Sequence, residues 1–122
     1  MGDKKKILIV DDSNFLRNAL KKILEGNGYE VVGTAENGLE AVSKYKELKP
    51  DLVTLDIIMP QLNGLQAIKM LRSIDPNALV VMVSSMSSKE SITDCVKEGA
   101  KNYILKPFEE AKVIEVIQKV LS

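Results

Sequence analysis

The chain has 122 residues, with 45% apolar and 28% charged content, a profile that fits one soluble domain built on one core. Its 17 basic and 17 acidic side chains cancel, which argues against the broad basic surface that nucleic acid or an anionic membrane requires. The lone cysteine, Cys95, excludes an internal disulfide and favours a reducing compartment, and the absence of histidine removes imidazole base catalysis and His-ligated metals.

Lys4-Lys5-Lys6 reads as a solvated lead-in to a first strand, Ile7-Leu8-Ile9-Val10. That apolar run is too short for a signal peptide, no run approaches the ~18 residues of a membrane span, and the chain is expected to be a cytoplasmic monomer. Ser13 can cap a first helix carrying Phe15, Leu16, Ala19, Leu20, Ile23 and Leu24 at helical spacing, ended by Gly26-Asn27-Gly28. A second strand runs from Tyr29 to Ala35. Asn37-Gly38 is a turn or helix entry, and Leu39, Ala41, Val42, Tyr45 and Leu48 mark a second helix that stops before Pro50. Leu52 to Leu55 is a buried strand ending in Asp56, and Pro60 keeps it from continuing. Asn63-Gly64 signals a turn before a third helix marked by Leu65, Ile68, Met70 and Leu71, which ends near Asp75-Pro76. Leu79 to Val83 is a fourth strand closed by Ser84-Ser85. Ser88 can cap a fourth helix whose thin stripe is Ile92, Cys95 and Val96, with Cys95 a small apolar filler, and Gly99 ends it. Tyr103-Ile104-Leu105 is a fifth strand closed by Lys106-Pro107, and a fifth helix carries Val113, Ile114, Val116, Ile117, Val120 and Leu121.

Five strands alternating with five helices imply βαβ units and a parallel sheet. The strands are apolar on both faces, so helices must cover both sides of a doubly wound α/β domain spanning residues 1–122. The second and fourth helices, the most polar and the most thinly striped, are expected to be the most exposed.

In such a sheet the carboxyl ends of the strands share the edge where ligands bind. The first strand delivers Asp11 and Asp12, the third Asp56, the fourth Ser84 and Ser85, the fifth Lys106. Singly, each has an ordinary explanation: acids suit a helix N-terminus, and a lysine or serine suits a surface turn. Their convergence on one edge points to a functional acidic site. Crowded carboxylates repel one another unless a cation neutralises them, and an oxygen-only donor set suits Mg²⁺, with Mn²⁺ able to substitute. A carboxylate nucleophile, a divalent cation and a lysine are the parts that phosphoryl transfer needs.

The motifs Ile-Leu-Ile-Val-Asp11-Asp12-Ser, Asp51-Leu-Val-Thr-Leu-Asp56-Ile-Ile-Met-Pro60, Asn63-Gly64, Gly99-Ala100 and Tyr103-Ile-Leu-Lys106-Pro107-Phe108 occur in order and correctly spaced. Through them the chain resembles response-regulator receiver domains of the CheY-like single-domain type, over nearly its whole length. The resemblance implies a flavodoxin-like (βα)₅ fold with strand order 2-1-3-4-5. It also implies that Asp56 is the phospho-acceptor and that Asp12 and Asp56 ligate Mg²⁺ directly. Asp11 would reach the ion through water, and the backbone carbonyl of Ile58 would complete the protein ligands. Lys106 would pair with the phosphoryl group, Ser84 would be the switch hydroxyl, and Tyr103 the aromatic that moves with it. The Lys106-Pro107 bond is expected to be cis. The chain departs from the common pattern with Ser in place of Thr at Ser84, with Ser85 where Ala is usual, and with apolar Ile58 and Met86 flanking the acceptor. The last pair predicts a long-lived aspartyl phosphate.

The implied activity is two-component signalling. A histidine kinase donates a phosphoryl group to Asp56, and a protein target binds the face made by the fourth helix, fifth strand and fifth helix. A chemotaxis role with a flagellar switch protein as target is the leading expectation. A phosphorelay receiver, or one cut from a larger regulator, fits the same residues. An Asp-nucleophile phosphatase would want a second acid beside Asp56, where Ile57-Ile58-Met59 stands. A flavin carrier would want a phosphate loop where Asp11-Asp12 stands.

Overall fold

The computed structural model describes residues 4–122, so the first three residues of the expected 1–122 span lie outside the described residues. Every expected element is present: β1 (Lys6–Val10), α1 (Asn14–Gly26), β2 (Glu30–Ala35), α2 (Gly38–Leu48), β3 (Leu52–Leu55), α3 (Gly64–Ile74), β4 (Val80–Ser84), α4 (Lys89–Lys97), β5 (Asn102–Leu105) and α5 (Glu110–Leu121). The strands form one parallel sheet in the order β2-β1-β3-β4-β5. The cap signals mark helix starts: Ser13, Asn37, Asn63 and Ser88 each accept a backbone N–H from the first turn that follows. Asn63 does more than turn the chain, because Gln66 returns a bond to its backbone and completes a capping box. Glycines with positive φ, Gly28 and Gly99, follow α1 and α4.

Strand alternation sorts the core into two layers. Leu8, Val10, Val53, Leu55, Val80 and Met82 pack with Ala41, Val42 and Tyr45 of α2 and with Ala67, Ile68 and Leu71 of α3. Ile7, Ile9, Leu52, Val81, Val83 and Ile104 pack on the other face with Leu20 and Leu24 of α1 and Val113, Val116 and Ile117 of α5. Each Val, Leu, Ile or Met among them, fully buried, contributes about 1.5–3 kcal/mol. The exposed fourth helix is as expected, since Cys95 is its buried residue. The second helix is not: α2 buries Gly38, Ala41, Val42 and Tyr45, more than the longer α1. Its polar composition lies on one side, while small residues let the other side sit close to the sheet. Phe15, placed by spacing on the apolar stripe of α1, is 73% exposed, because Arg17, Leu20 and Leu24 set the buried face and Phe15 falls on the opposite side of the helix.

Register fixes the site. Val10 pairs with Leu55, and Leu55 with Met82, so Asp11 and Asp56 leave neighbouring strands side by side. Ser84 pairs with Leu105, which brings Lys106 to the same edge. The Asp56 amide donates to the Val10 carbonyl at 3.0 Å and the Lys106 amide to the Ser84 carbonyl at 2.9 Å. The loop after β3 folds back until the Gly64 amide bonds the Ile57 carbonyl at 2.8 Å. A Cβ on Gly64 would stand 2.1 Å from the Asp56 carbonyl oxygen and 2.7 Å from the Ile57 Cα. Backbone cannot yield as a side chain tip can, so Gly64→Ala should cost about 3 kcal/mol, the upper end for overpacking. Urea denaturation measures this; a loss under ~1 kcal/mol would mean that the loop over Asp56 adapts freely.

Candidate functional site

Three acids meet at the carboxyl edge of the sheet. One carboxylate oxygen from each of Asp11, Asp12 and Asp56 lies within 4.8 Å of the others, with Asp11 and Asp56 buried and Asp12 exposed. Asp56 ends β3 and is held on both oxygens: Oδ1 accepts the Ile57 amide at 2.7 Å and Oδ2 accepts the Lys106 ammonium at 3.0 Å. Asp11 is held likewise, Oδ1 by the Ser13 amide at 2.9 Å and Oδ2 by Lys106 at 2.6 Å. The Lys106 side chain is only 12% exposed. Burial pulls its pKa down, but the bonds to Asp11 and then Asp56 outweigh this and leave it above the usual lysine value. The ammonium therefore stays charged at neutral pH, shared between two carboxylates. The Lys106–Pro107 peptide is cis.

A second group lies against the first. Ser84 is fully buried, and its Oγ accepts the Met86 amide at 3.3 Å; among the described residues it has no hydrogen bond to Asp56. The Tyr103 hydroxyl donates to the Met86 carbonyl at 2.5 Å. Burial raises the pKa of that phenol, so it remains a donor. Met86 thus joins the two expected switch residues through its own backbone, a role that its apolar side chain gives no reason to suspect. Ser85 is exposed, next to buried Ser84. Ile58 stands two residues beyond Asp56 with its side chain 58% exposed.

The expected residues thus fall into two sets. Asp11, Asp12, Asp56 and Lys106 converge directly, and Ser84 and Tyr103 meet through Met86. Ile58 shares the loop, without a described contact for its carbonyl. Sequence reading missed Arg17, a buried arginine whose Nη1 donates to the Asp11 carbonyl at 2.7 Å. The signal was there: Arg17, Leu20 and Leu24 are spaced as one helical stripe, and Arg17 is the charged member.

The donor set is all oxygen and anionic, with solvent access at Asp12, which fits a hard divalent ion that keeps some of its waters. A doubly wound domain that gathers carboxylates and a lysine at the strand ends holds, where such folds bind ligands, the parts that phosphoryl transfer needs. The chain belongs to the response regulator receiver domain family, which matches residues 7–118. Within that family it is CheY-like. A chemotaxis protein CheY from Thermotoga maritima is 52% identical over 116 residues, 95% of this chain and 97% of that one. Another, from Bacillus subtilis, is 49% identical over 117 residues, 96% of this chain and 98% of its own length. Among solved structures, CheY in a CheX–CheY–BeF₃–Mg²⁺ complex from Borrelia burgdorferi superposes with a TM-score of 0.94 at 38% identity, covering 97% of this chain and 90% of that chain.

Proposed function

We propose that Asp56 accepts a phosphoryl group from the phosphohistidine of a partner kinase, and that the phosphorylated chain binds a target protein in a chemotaxis pathway. The observation that carries this is the convergence of Asp11, Asp12 and Lys106 on Asp56. The acceptor oxygen of Asp56 attacks phosphorus in line, a P–O bond forms, and the P–N bond to the kinase histidine breaks with its electron pair returning to the ring. Mg²⁺ held by Asp11, Asp12, Asp56 and the Ile58 carbonyl would offset charge on the transferring group. Lys106 does the same from the protein side and stays positioned by Asp11 while Asp56 reacts. The chain signals by phosphoryl occupancy rather than by turnover.

The phosphoryl oxygens then accept a hydrogen bond from the Ser84 hydroxyl, whose oxygen goes on accepting the Met86 amide. Because Met86 also holds Tyr103, drawing Ser84 toward Asp56 moves the loop after β4 and the aromatic ring together. The face reshaped by this contains α4, β5 and α5, where Val96 and Leu105 are 55% and 45% exposed, suited to a protein target such as a flagellar switch component. Likeness to CheY proteins supports the chemotaxis reading. No helix among the described residues is long and apolar enough to cross a membrane. Incubation with a small acyl phosphate and Mg²⁺ tests the reading: one phosphoryl group per chain is expected, and none when the divalent ion is chelated.

The lifetime of that group should depend on Ile58. An apolar side chain beside the acceptor orients no hydrolytic water, so Ile58→Asn should speed dephosphorylation about 10-fold, less than the ~10²–10⁴-fold of a fully positioned acid or base because an exposed amide only orients the water. Decay of the labelled protein over time measures it, and equal rates would remove Ile58 from the account.

A further inference from the structure

Arg17 is 8% exposed, the one basic side chain among the buried polar residues of the described chain. Placing a guanidinium there is costly unless its donors are used. Nη1 donates to the Asp11 carbonyl at 2.7 Å, and Nη2 lies 3.3 Å from both Asn14 Oδ1 and Glu36 Oε1. The pairing with Glu36 does not explain the burial, because Glu36 is 64% exposed and such pairs contribute little. The short bond is the one to the Asp11 carbonyl, and that oxygen belongs to the peptide unit joining Asp11 to Asp12.

The two acids differ in how they are held. The Asp11 carboxylate is fixed by Ser13 and Lys106, and its amide by the Ala35 carbonyl at 3.0 Å. The Asp12 carboxylate is exposed and has no side-chain hydrogen bond among the described residues. No side-chain partner orients it, so the backbone alone sets where the side chain leaves Asp12, and Arg17 holds the peptide plane just before it. We propose that Arg17 is a positioning residue for the divalent cation, holding the Asp11–Asp12 peptide so that Asp12 faces the acid cluster. This rests on the reading of that cluster as the Mg²⁺ site. Arginine suits the task because its planar fork reaches the carbonyl with one nitrogen and Asn14 and Glu36 with the other; lysine presents a single point charge.

Charge and positioning predict opposite signs. A cation beside the cluster repels Mg²⁺, so removing it would tighten binding if charge were its whole effect. Loss of positioning weakens binding, as losing an outer partner of a metal ligand does, by about 10-fold or more. The experiment is calorimetric titration of Mg²⁺ into wild type, Arg17→Met and Arg17→Lys, with phosphoryl labelling followed across Mg²⁺ concentration. Arg17→Met should weaken Mg²⁺ by about 10-fold, Arg17→Lys by about threefold, and saturating Mg²⁺ should return labelling to near the wild-type rate. A purely structural role would lower the melting temperature without shifting that concentration dependence. If Arg17→Met does not fold, Arg17→Lys decides alone. Unchanged or tighter Mg²⁺ binding in the folded variant overturns the role of Arg17, whereas a wild-type chain that binds no Mg²⁺ overturns the reading of the cluster as well.

Discussion

Asp56→Asn is expected to abolish the phosphorylated species, cutting label incorporation by at least ~10²-fold, while the domain stays folded. The carboxamide is close in size and keeps an oxygen that can accept the Ile57 amide, now held at 2.7 Å. What it loses is the anionic nucleophile. Lys106 retains its bond to Asp11 at 2.6 Å, so no buried ammonium is orphaned. Removing one of three crowded carboxylates also relieves repulsion, so unfolding free energy should hold or rise by up to ~1 kcal/mol without divalent ion. Intact-mass spectrometry after acyl phosphate treatment reads the label, and thermal unfolding reads the fold. A variant that still takes up one phosphoryl group would place the acceptor elsewhere, with Asp11, Asp12 and the neighbouring serines as the first places to look.

The sheet and the acid edge were legible because both follow from short-range pattern. Runs such as Ile7 to Val10 and Leu52 to Leu55 are apolar on both faces and end in acids, and parallel topology brings those ends together. The strand order came from family likeness, since alternation alone does not say which strands are neighbours. What the pattern hid depends on backbone and on three-dimensional neighbours. Met86 matters through its amide and carbonyl, which no side-chain type reveals. Phe15 and Leu39 sit at helical spacing yet are 73% and 52% exposed, because each is turned away from the face that Arg17, Leu20 and Leu24 bury in α1 and that Ala41, Val42 and Tyr45 bury in α2. Tyr45 looked like an apolar stripe residue, but its hydroxyl donates to Asp75 at 2.6 Å across 30 residues. Arg17 was visible only as a charge in the wrong place.

Lys106→Met should destabilise the chain strongly without divalent ion and weakly with it. Methionine keeps most of the length and the apolar stem, so the change isolates the ammonium. Without that charge, Asp11 and Asp56, each with a side chain 8% exposed, face each other and Asp12 with no cation between them. Breaking a buried pair from one side costs about 3–5 kcal/mol; Asp12 opens the cluster to solvent, so a loss of about 2–3 kcal/mol is expected. Mg²⁺ stabilises wild type and variant alike, so it narrows the gap only by their difference in affinity. The variant should bind it more tightly, because the ion no longer competes with an ammonium for the same oxygens, and about 30-fold tighter binding returns about 2 kcal/mol at saturating ion. The pH dependence has a definite sign. Lys106 has a raised pKa in the folded chain. The stability it contributes is thus complete below the unfolded lysine value of about 10.4 and fades as pH climbs through the higher folded value. The gap between wild type and Lys106→Met should therefore hold steady from about pH 7 to about pH 9 and close only in strong alkali. Urea unfolding with and without Mg²⁺ across that range measures all three effects. A loss of equal size in both conditions would show that Lys106 acts through packing rather than as the cation that the acid cluster requires.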